Sequence, residues 1–287
     1  MAQNAFSPRP GQLLISEVLF HPSAGGADYV EVYNNSYDDI SLDSVVLVKV
    51  HSDGHPGRFY PLCEDCDLSA HCWLVVTTDA AWVRQHYTVR SPEQLLQVDA
   101  MPALANGQGT ILLALKDSTV LDRLDYTEKM HTPLLRDKEG VALERCSYDA
   151  PTQQPSNWSS AATIAGYGTP TYRNSLSTEF LFTYADFMGS SDIISPDGDG
   201  RDDILAINYT LKEPALMGNF MIFDSRGRLV RHLAHGLLLG AQGSVVWDGR
   251  DDNNIRCFPD NYIVFIDVFN TRGLHQQHKM LVSLMTK

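Results

Sequence analysis

Basic residues are scarce. Lys and Arg number 22 against 35 Asp and Glu, a formal charge of −13. Neutralising phosphates needs the opposite surplus, so this balance argues against general nucleic-acid binding. No apolar run approaches the roughly 18 residues that span a bilayer as a helix. Met1 to Gly11 is polar, contains Pro8 and Pro10, and lacks the basic and apolar stretches of a signal peptide. Three signatures of chemistry are missing: Gly-x-Ser-x-Gly, His-Glu-x-x-His and a phosphate-binding Gly-Lys-Ser/Thr loop. Cysteine is sparse and odd in number, at Cys63, Cys66, Cys72, Cys146 and Cys257, so the five cannot all pair within one chain.

What is present is enough for two folded domains. The chain has 287 residues, 44% of them apolar, against a prior of roughly 150 residues per domain. Period-two alternation predicts strands over Leu13 to Phe20, Tyr29 to Tyr33, Val45 to Val50, Trp73 to Thr77, Thr110 to Lys116, Val120 to Tyr126 and Gly140 to Cys146. Turn residues separate them, among them Gly25-Gly26, Asn34-Asn35 and Asn106-Gly107. Helical signals are short. Thr78-Asp79 is placed to cap Ala80 to Tyr87, and Ser91-Pro92-Glu93 to open a further turn or two. Pro151 to Ser177, rich in Pro, Gln, Ser, Thr, Gly and Asn, reads as a connection, with Trp158 and Tyr167 pinning parts of it to the first domain. A lead-in over Glu179 to Phe187 follows. Strands then resume at Ile204 to Leu211, Asn219 to Phe223, Leu229 to Leu233, Ser244 to Trp247, Tyr262 to Phe269 and Lys279 to Met285. Many short strands and almost no helix predict antiparallel sandwiches.

Two stretches carry a family resemblance. Ile15-Ser-Glu17-Val-Leu-Phe, then Asp28-Tyr-Val-Glu31-Val-Tyr-Asn34, resembles the lamin-tail domain. Asp125 to Met130, Val141 to Arg145 and Pro155 to Trp158 continue the likeness, although Val45 stands where many members place a Trp. Ser195-Pro-Asp197-Gly-Asp199-Gly-Arg-Asp-Asp203, Phe223 to Arg231, Val246-Trp247-Asp248-Gly249 through Asn253, and Asn261-Tyr262 resemble the flagellar hook-capping type of immunoglobulin-like domain. Asn254 and Asn261 stand where that family usually has glycine, and Asn is the next best residue for a positive φ. The pairing is similar to secreted and surface proteins of Bacteroidetes-type bacteria. It implies export, with the leader removed ahead of this sequence.

The expected fold is all-β, two tandem antiparallel β-sandwich domains: a flexible N-terminus at 1–10, a lamin-tail-like sandwich at 11–175 and an immunoglobulin-like sandwich at 176–287. Asp197, Asp199 and Asp203 form Asp-x-Asp-Gly-x-x-Asp, like the start of an EF-hand loop without its final bidentate Glu. They are the candidate calcium ligands; the competing reading is a solvated turn whose carboxylates bond local amides. Asp248, Asp251 and Asp252 crowd a second loop, a metal candidate that the family resemblance instead implies is a hairpin turn beside a core Trp247. Cys63-x2-Cys66-x4-His71-Cys72 admits zinc, a local disulfide or free thiols, and Cys146 reads as a small core residue. Trp82 and Tyr87 are the aromatics placed to stack a glycan. Asn34, Asn157 and Asn208 head N-glycosylation triplets by chance. Glu17 and Glu31 can pair as acid and base, or bond Thr, Arg or backbone amides on a sheet face. No catalytic residue is expected. The implied function is a non-enzymatic exported protein that binds or tethers a protein or glycan at the cell envelope. The rival readings are an accessory part of a secreted metal-dependent hydrolase or nuclease, and a C-terminal domain that serves as an export signal.

Overall fold

Alternating apolar residues become paired strands in two separate units, Met1–Glu179 and Phe180–Lys287. The computed structural model describes residues 6–177, 186–212 and 215–285. The strands of the first unit, in chain order, are β1 (Leu13–Leu19), β2 (Tyr29–Asn34), β3 (Ile40–Ser41), β4 (Val45–Val50), β5 (Pro56–Pro61), β6 (Asp67–Leu68), β7 (Trp73–Thr77), β8 (Leu95–Gln97), β9 (Gln108–Leu115), β10 (Val120–Thr127), β11 (Leu143–Arg145) and β12 (Trp158–Ser160). A six-stranded sheet, β12-β11-β1-β2-β7-β8, faces a four-stranded sheet, β10-β9-β4-β5. Leu13, Ile15, Val18, Val30 and Val32 from the first meet Val45, Leu47, Ile111 and Leu113 from the second in one core. Strand β5 escapes sequence patterning because Pro56, Gly57 and Pro61 disguise it. It survives at a sheet edge, where a missing N–H breaks no ladder.

One residue decides which side chains face inward. Leu13, Ile15, Glu17 and Leu19 have the spacing of a single face. A β-bulge between Ile15 and Glu17 leaves Ser16 outside the pairing with β2 and reverses the alternation. Val18 and Phe20 therefore join Ile15 in the core, while Leu19 goes to the outer face with Tyr29 and Val75. That outer face is covered too. Helix α1 (Ala80–His86) packs Trp82 and Val83 onto it, capped by Asp79, whose carboxylate accepts the Trp82 amide at 2.9 Å. Trp82 and Tyr87 are 9% and 7% exposed, so these two candidates for stacking a glycan are packing residues.

The N-terminal expectation needs correction from residue 6 onward. The Phe6 amide donates to Asp39 O, the Phe6 carbonyl accepts from Ser41 N, and Pro8 is buried. Residues 1–5 lie outside the described residues.

The second unit contains β13 (Asp186–Gly189), β14 (Ile193–Ile194), β15 (Leu205–Thr210), β16 (Leu216–Asp224), β17 (Leu229–Leu239), β18 (Gln242–Trp247), β19 (Asp260–Phe269) and β20 (His275–Leu284). A five-stranded sheet, β14-β20-β19-β16-β17, packs on a three-stranded one, β13-β15-β18. Trp247, Phe220, Ile222, Val264 and Ile266 sit at its centre, each 0% exposed. The lead-in expected from Glu179 lies outside the described residues until Asp186. Pairing is antiparallel apart from β7 with β8 and β14 with β20. Asn254 takes the positive φ expected of it, at 62°, whereas Asn261 lies in β19 opposite Ser283.

Both units use the same local device. Gly109 lies opposite Tyr126, and Gly243 opposite Tyr209, in register on neighbouring strands. A Cβ at either glycine would lie 2.5 or 2.3 Å from the facing hydroxyl. The tyrosine ring covers the space that the glycine leaves open.

Candidate functional site

The aspartates singled out in the sequence do come together. One carboxylate oxygen from each of Asp197, Asp199 and Asp203 lies within 4.8 Å of the others. The loop's own amides engage them. Asp203 Oδ1 accepts Gly198 N at 2.6 Å and its Oδ2 accepts Gly200 N at 2.8 Å. Asp197 Oδ1 accepts Asp199 N at 3.1 Å, and Asp199 Oδ1 accepts Arg201 N at 2.8 Å. Gly198 and Gly200 adopt φ of 86° and 84°, which allows the amides to turn inward. Arg250 and Arg256 line the same open hollow of about 480 Å³. The arrangement closes a turn with carboxylates and still gathers three of them. The Asp248–Asp252 loop is engaged in the same manner. Asp248 pairs with Arg231, Asp252 accepts the His232 amide at 2.9 Å, and Asp251 accepts Asn253 N and Ile255 N.

A second carboxyl group of three was not assembled from the sequence. Reading across the six-stranded sheet, Ser159, Glu144, Glu17, Glu31, Val75 and Leu95 stand in one register row on β12, β11, β1, β2, β7 and β8. Three consecutive members are glutamates, and all three are 0% exposed. The segment 168–177 lies over them as a strap. The Thr169 amide donates to both Glu17 oxygens at 3.1 Å. Thr169 Oγ1 lies 2.6 Å from Glu17 Oε2 and 2.8 Å from Glu144 Oε1. Thr171 N donates to Glu31 Oε2 at 2.7 Å. Ser175 Oγ and Leu176 N donate to Glu144 Oε2 at 2.8 and 3.0 Å. The Tyr29 hydroxyl donates to Glu17 Oε1. Asn174 completes the docking by donating to Ser16 O, at the bulge, and to Arg145 O, both at 2.9 Å. Gly168 passes so close that a Cβ would lie 2.7 Å from the Tyr87 ring.

Burial governs the electrostatics. It pushes the Glu17 carboxyl up to about 8, with the neighbouring Glu144 adding to the rise and the Thr169 and Tyr29 donors opposing it. Glu31 is raised well above the usual carboxylate range by burial and then by Glu17. Burial raises Glu144 as well, against its bonds from Thr169, Ser175 and Leu176. Among the described residues Glu31 Oε1 lacks a well-formed hydrogen bond, although the neighbouring Ser16 hydroxyl opposes the rise of this carboxyl. Ser16, which borders it, directs its hydroxyl to Tyr148 and Asn174.

The strap corrects the sequence reading of Pro151 to Ser177 as a connection pinned at Trp158 and Tyr167. Thr169, Thr171, Asn174 and Ser177 are at most 4% exposed. Composition marks them as loop residues because they carry no apolar pattern; the carboxyl row takes the amides of Thr169 and Thr171 and the Thr169 hydroxyl, and Asn174 bonds the backbone of Ser16 and Arg145. Asn34, read from the sequence as a turn residue, lies at the end of a strand. It ends β2, with Nδ2 donating to Asp38 O and Leu68 O at 2.9 Å and Oδ1 accepting from Ser36. Asn34 and Asn157 are 0% and 3% exposed, so neither triplet is open to an enzyme.

His131 Nδ1 lies 2.8 Å from Ser160 Oγ, but the two residues are 2% and 0% exposed. Burial, then Lys138 and His21, bring this imidazole down to about 4. Cys63 and Cys66 form a disulfide, which removes both from any zinc set. Cys72, Cys146 and Cys257 lie outside any disulfide, and Cys146 is buried as expected.

No protein-family model matches the chain, and no curated protein matches it. Among solved structures it is similar to dimeric latent PorU from Porphyromonas gingivalis, at 11% identity and a TM-score of 0.30, over 96% of this chain and 20% of that one. It is also similar to PorZ, a surface component of the type-IX secretion system of the same bacterium, at 8% identity and a TM-score of 0.27, over 93% of this chain and 38% of that one. CopC from Methylosinus trichosporium matches at 15% identity and a TM-score of 0.24, over 36% of this chain and 95% of that one. The chain thus spans about a fifth of PorU and about two fifths of PorZ. Likenesses of this depth carry no function across.

Proposed function

We propose that this chain is a non-enzymatic, exported protein whose two β-sandwich modules bind or tether a protein or glycan at the cell envelope. One observation carries the reading. The group with the strongest catalytic potential, Glu17 with Glu31 and Glu144, is sealed at 0% exposure under the chain's own strap and bonds that strap. Carboxyls so engaged hold structure and present nothing to a substrate. The Cys63–Cys66 disulfide supports export, because such bonds persist in oxidising compartments. No helix among the described residues is long and apolar enough to cross a membrane.

The test has two arms. Fractionation of the parent cell with surface proteolysis should place the chain outside the cytoplasm. A metal-supplemented panel of phosphodiester, ester and glycoside substrates should show no turnover. Turnover abolished by a single Asp or His substitution would favour the hydrolase reading instead.

A second reading concerns the Asp197–Asp203 loop. We place a structural calcium ion there on the strength of three carboxylate oxygens gathered within 4.8 Å. Titration calorimetry with Ca²⁺ should give heat that Asp199→Asn removes. No heat, and no shift in Tm with EDTA, would leave the loop as a turn closed by its own amides.

A further inference from the structure

The strap hydrogen bonds contain a proton count. Thr169 Oγ1 carries one hydrogen, yet it lies 2.6 Å from Glu17 Oε2 and 2.8 Å from Glu144 Oε1. A hydroxyl donates once and accepts through its lone pairs, whereas an ionised carboxylate only accepts. Both contacts are hydrogen bonds only when one of the two carboxyls is protonated and donates to Thr169. The other donors fit one arrangement. Glu17 receives Tyr29 OH and Thr169 N, which suits an anion. Glu144 Oε2 receives Ser175 Oγ and Leu176 N, which leaves its Oε1 as the site of the proton. The chain then runs Glu144 O–H to Thr169 O–H to Glu17 carboxylate, with every donor and acceptor used.

We propose that Glu17 and Glu144 hold one proton between them through Thr169, and that losing it under alkaline conditions unlatches the 168–177 strap from the six-stranded sheet. Removal leaves two buried anions across a hydroxyl that can serve only one of them. Glu31 stands opposite Glu17 in register and adds a third carboxyl to the same row. The titratable groups around the pair are Tyr29 on β2, Tyr87 at the end of α1, and Tyr172 on the strap, whose ring lies 4.2 Å beneath the Arg90 guanidinium. The three phenols, raised by burial, stay neutral and add no further negative charge to the row. Arg145, next to Glu144, directs its guanidinium to Asp122 on the other face. Unlatching would uncover the outer face of the sheet as an acidic row. The device does not depend on the proposed tethering role.

The test uses the full chain. Hydrogen exchange of the 168–177 peptide, corrected for intrinsic exchange, is followed from about pH 6 to about pH 9, with β19 as the internal reference. Loss of a single proton predicts a fall in strap protection of up to roughly tenfold per pH unit above the titration of the pair. Glu144→Gln can donate permanently from Nε2 to Thr169 while Oε1 accepts Ser175 and Leu176, so this variant should keep its protection throughout. Wild-type protection that stays flat, or an E144Q slope equal to wild type, overturns the proposal. If E144Q does not fold, the glutamate side-chain carboxyl ¹³C shifts of the wild type decide: one proton in the pair at about pH 6, lost by about pH 9, supports it. Full ionisation of both already at about pH 6 refutes it.

Discussion

Replacing Asp122 by Ala strands a buried cation, and the structure gives the size of the effect. Asp122 Oδ2 accepts Ile15 N at 2.8 Å and Arg145 Nη1 at 3.4 Å; Oδ1 accepts Thr152 Oγ1 at 2.6 Å and Arg123 N at 2.9 Å. The Arg145 and Asp122 side chains are 2% and 8% exposed. Burial raises the Asp122 carboxyl above its ordinary value even against those donors, so the pair itself adds little net stability. Breaking it is another matter, because the buried guanidinium keeps its bonds to the Ile15, Ser147 and Ala150 carbonyls but loses this counter-charge, and the Ile15 amide loses its acceptor without gaining water. Removing one partner of a buried pair costs about 3–5 kcal/mol. Asp122→Asn, which keeps one acceptor, should cost about 1–3 kcal/mol. In an Arg145→Met background the stranded charge is gone, and the further cost of D122A should fall below about 2 kcal/mol. Urea unfolding monitored by hydrogen exchange in β1 and β11 reads the first unit alone. A D122A cost under about 1 kcal/mol, or the same cost with and without Arg145, would show that the network is not the clamp described here.

Four other outcomes follow from the same geometry. Burial and the neighbouring Glu144 raise Glu17 from 4.5 to about 8, so the Glu17–Glu144 pair keeps its shared proton to higher pH in the folded state than in the unfolded one; the first unit should lose stability as pH rises through that window, and Glu17→Gln should flatten the slope in urea titrations at fixed temperature. His131 is lowered from 6.5 to about 4, so its contribution is lost as pH falls through that range, and acid unfolding of His131→Gln should begin at lower pH than in wild type. Trp247→Ala removes a 0% exposed ring from the second core and should cost about 3–5 kcal/mol in β19 exchange, with β1 unmoved. Gly109→Ala and Gly243→Ala push a Cβ into Tyr126 and Tyr209 and should each cost about 1–3 kcal/mol, which pairing with Tyr126→Ala or Tyr209→Ala would partly relieve.

Alternation made the strands and the all-β class legible. Val30 and Val32, and Leu205 and Ile207, could be read directly, since period two is a property of the chain itself, whereas the core place of Trp247 came from the family resemblance. The convergence of Asp197, Asp199 and Asp203 was equally local, lying within a seven-residue loop punctuated by glycine. An arginine on the apolar side of Val141, Leu143 and Arg145 was a signal for a buried acid that spacing could not identify, because Asp122 stands 23 residues away. Glu17 and Glu31 were legible as a pair whose carboxyls bond Thr or backbone amides, but not the face they occupy or the segment that covers them. A single bulged residue at Ser16 moved Glu17 from the face of Leu13 and Ile15 to the opposite side, and a loop-like segment 152 residues further on supplied its partners. Sequence by itself determined which stretches extend and which turn, because those preferences act between neighbouring residues. Only the tertiary structure decided which carboxyls meet, are covered and keep a proton, because burial and hydrogen bonding depend on segments that chain order keeps far apart.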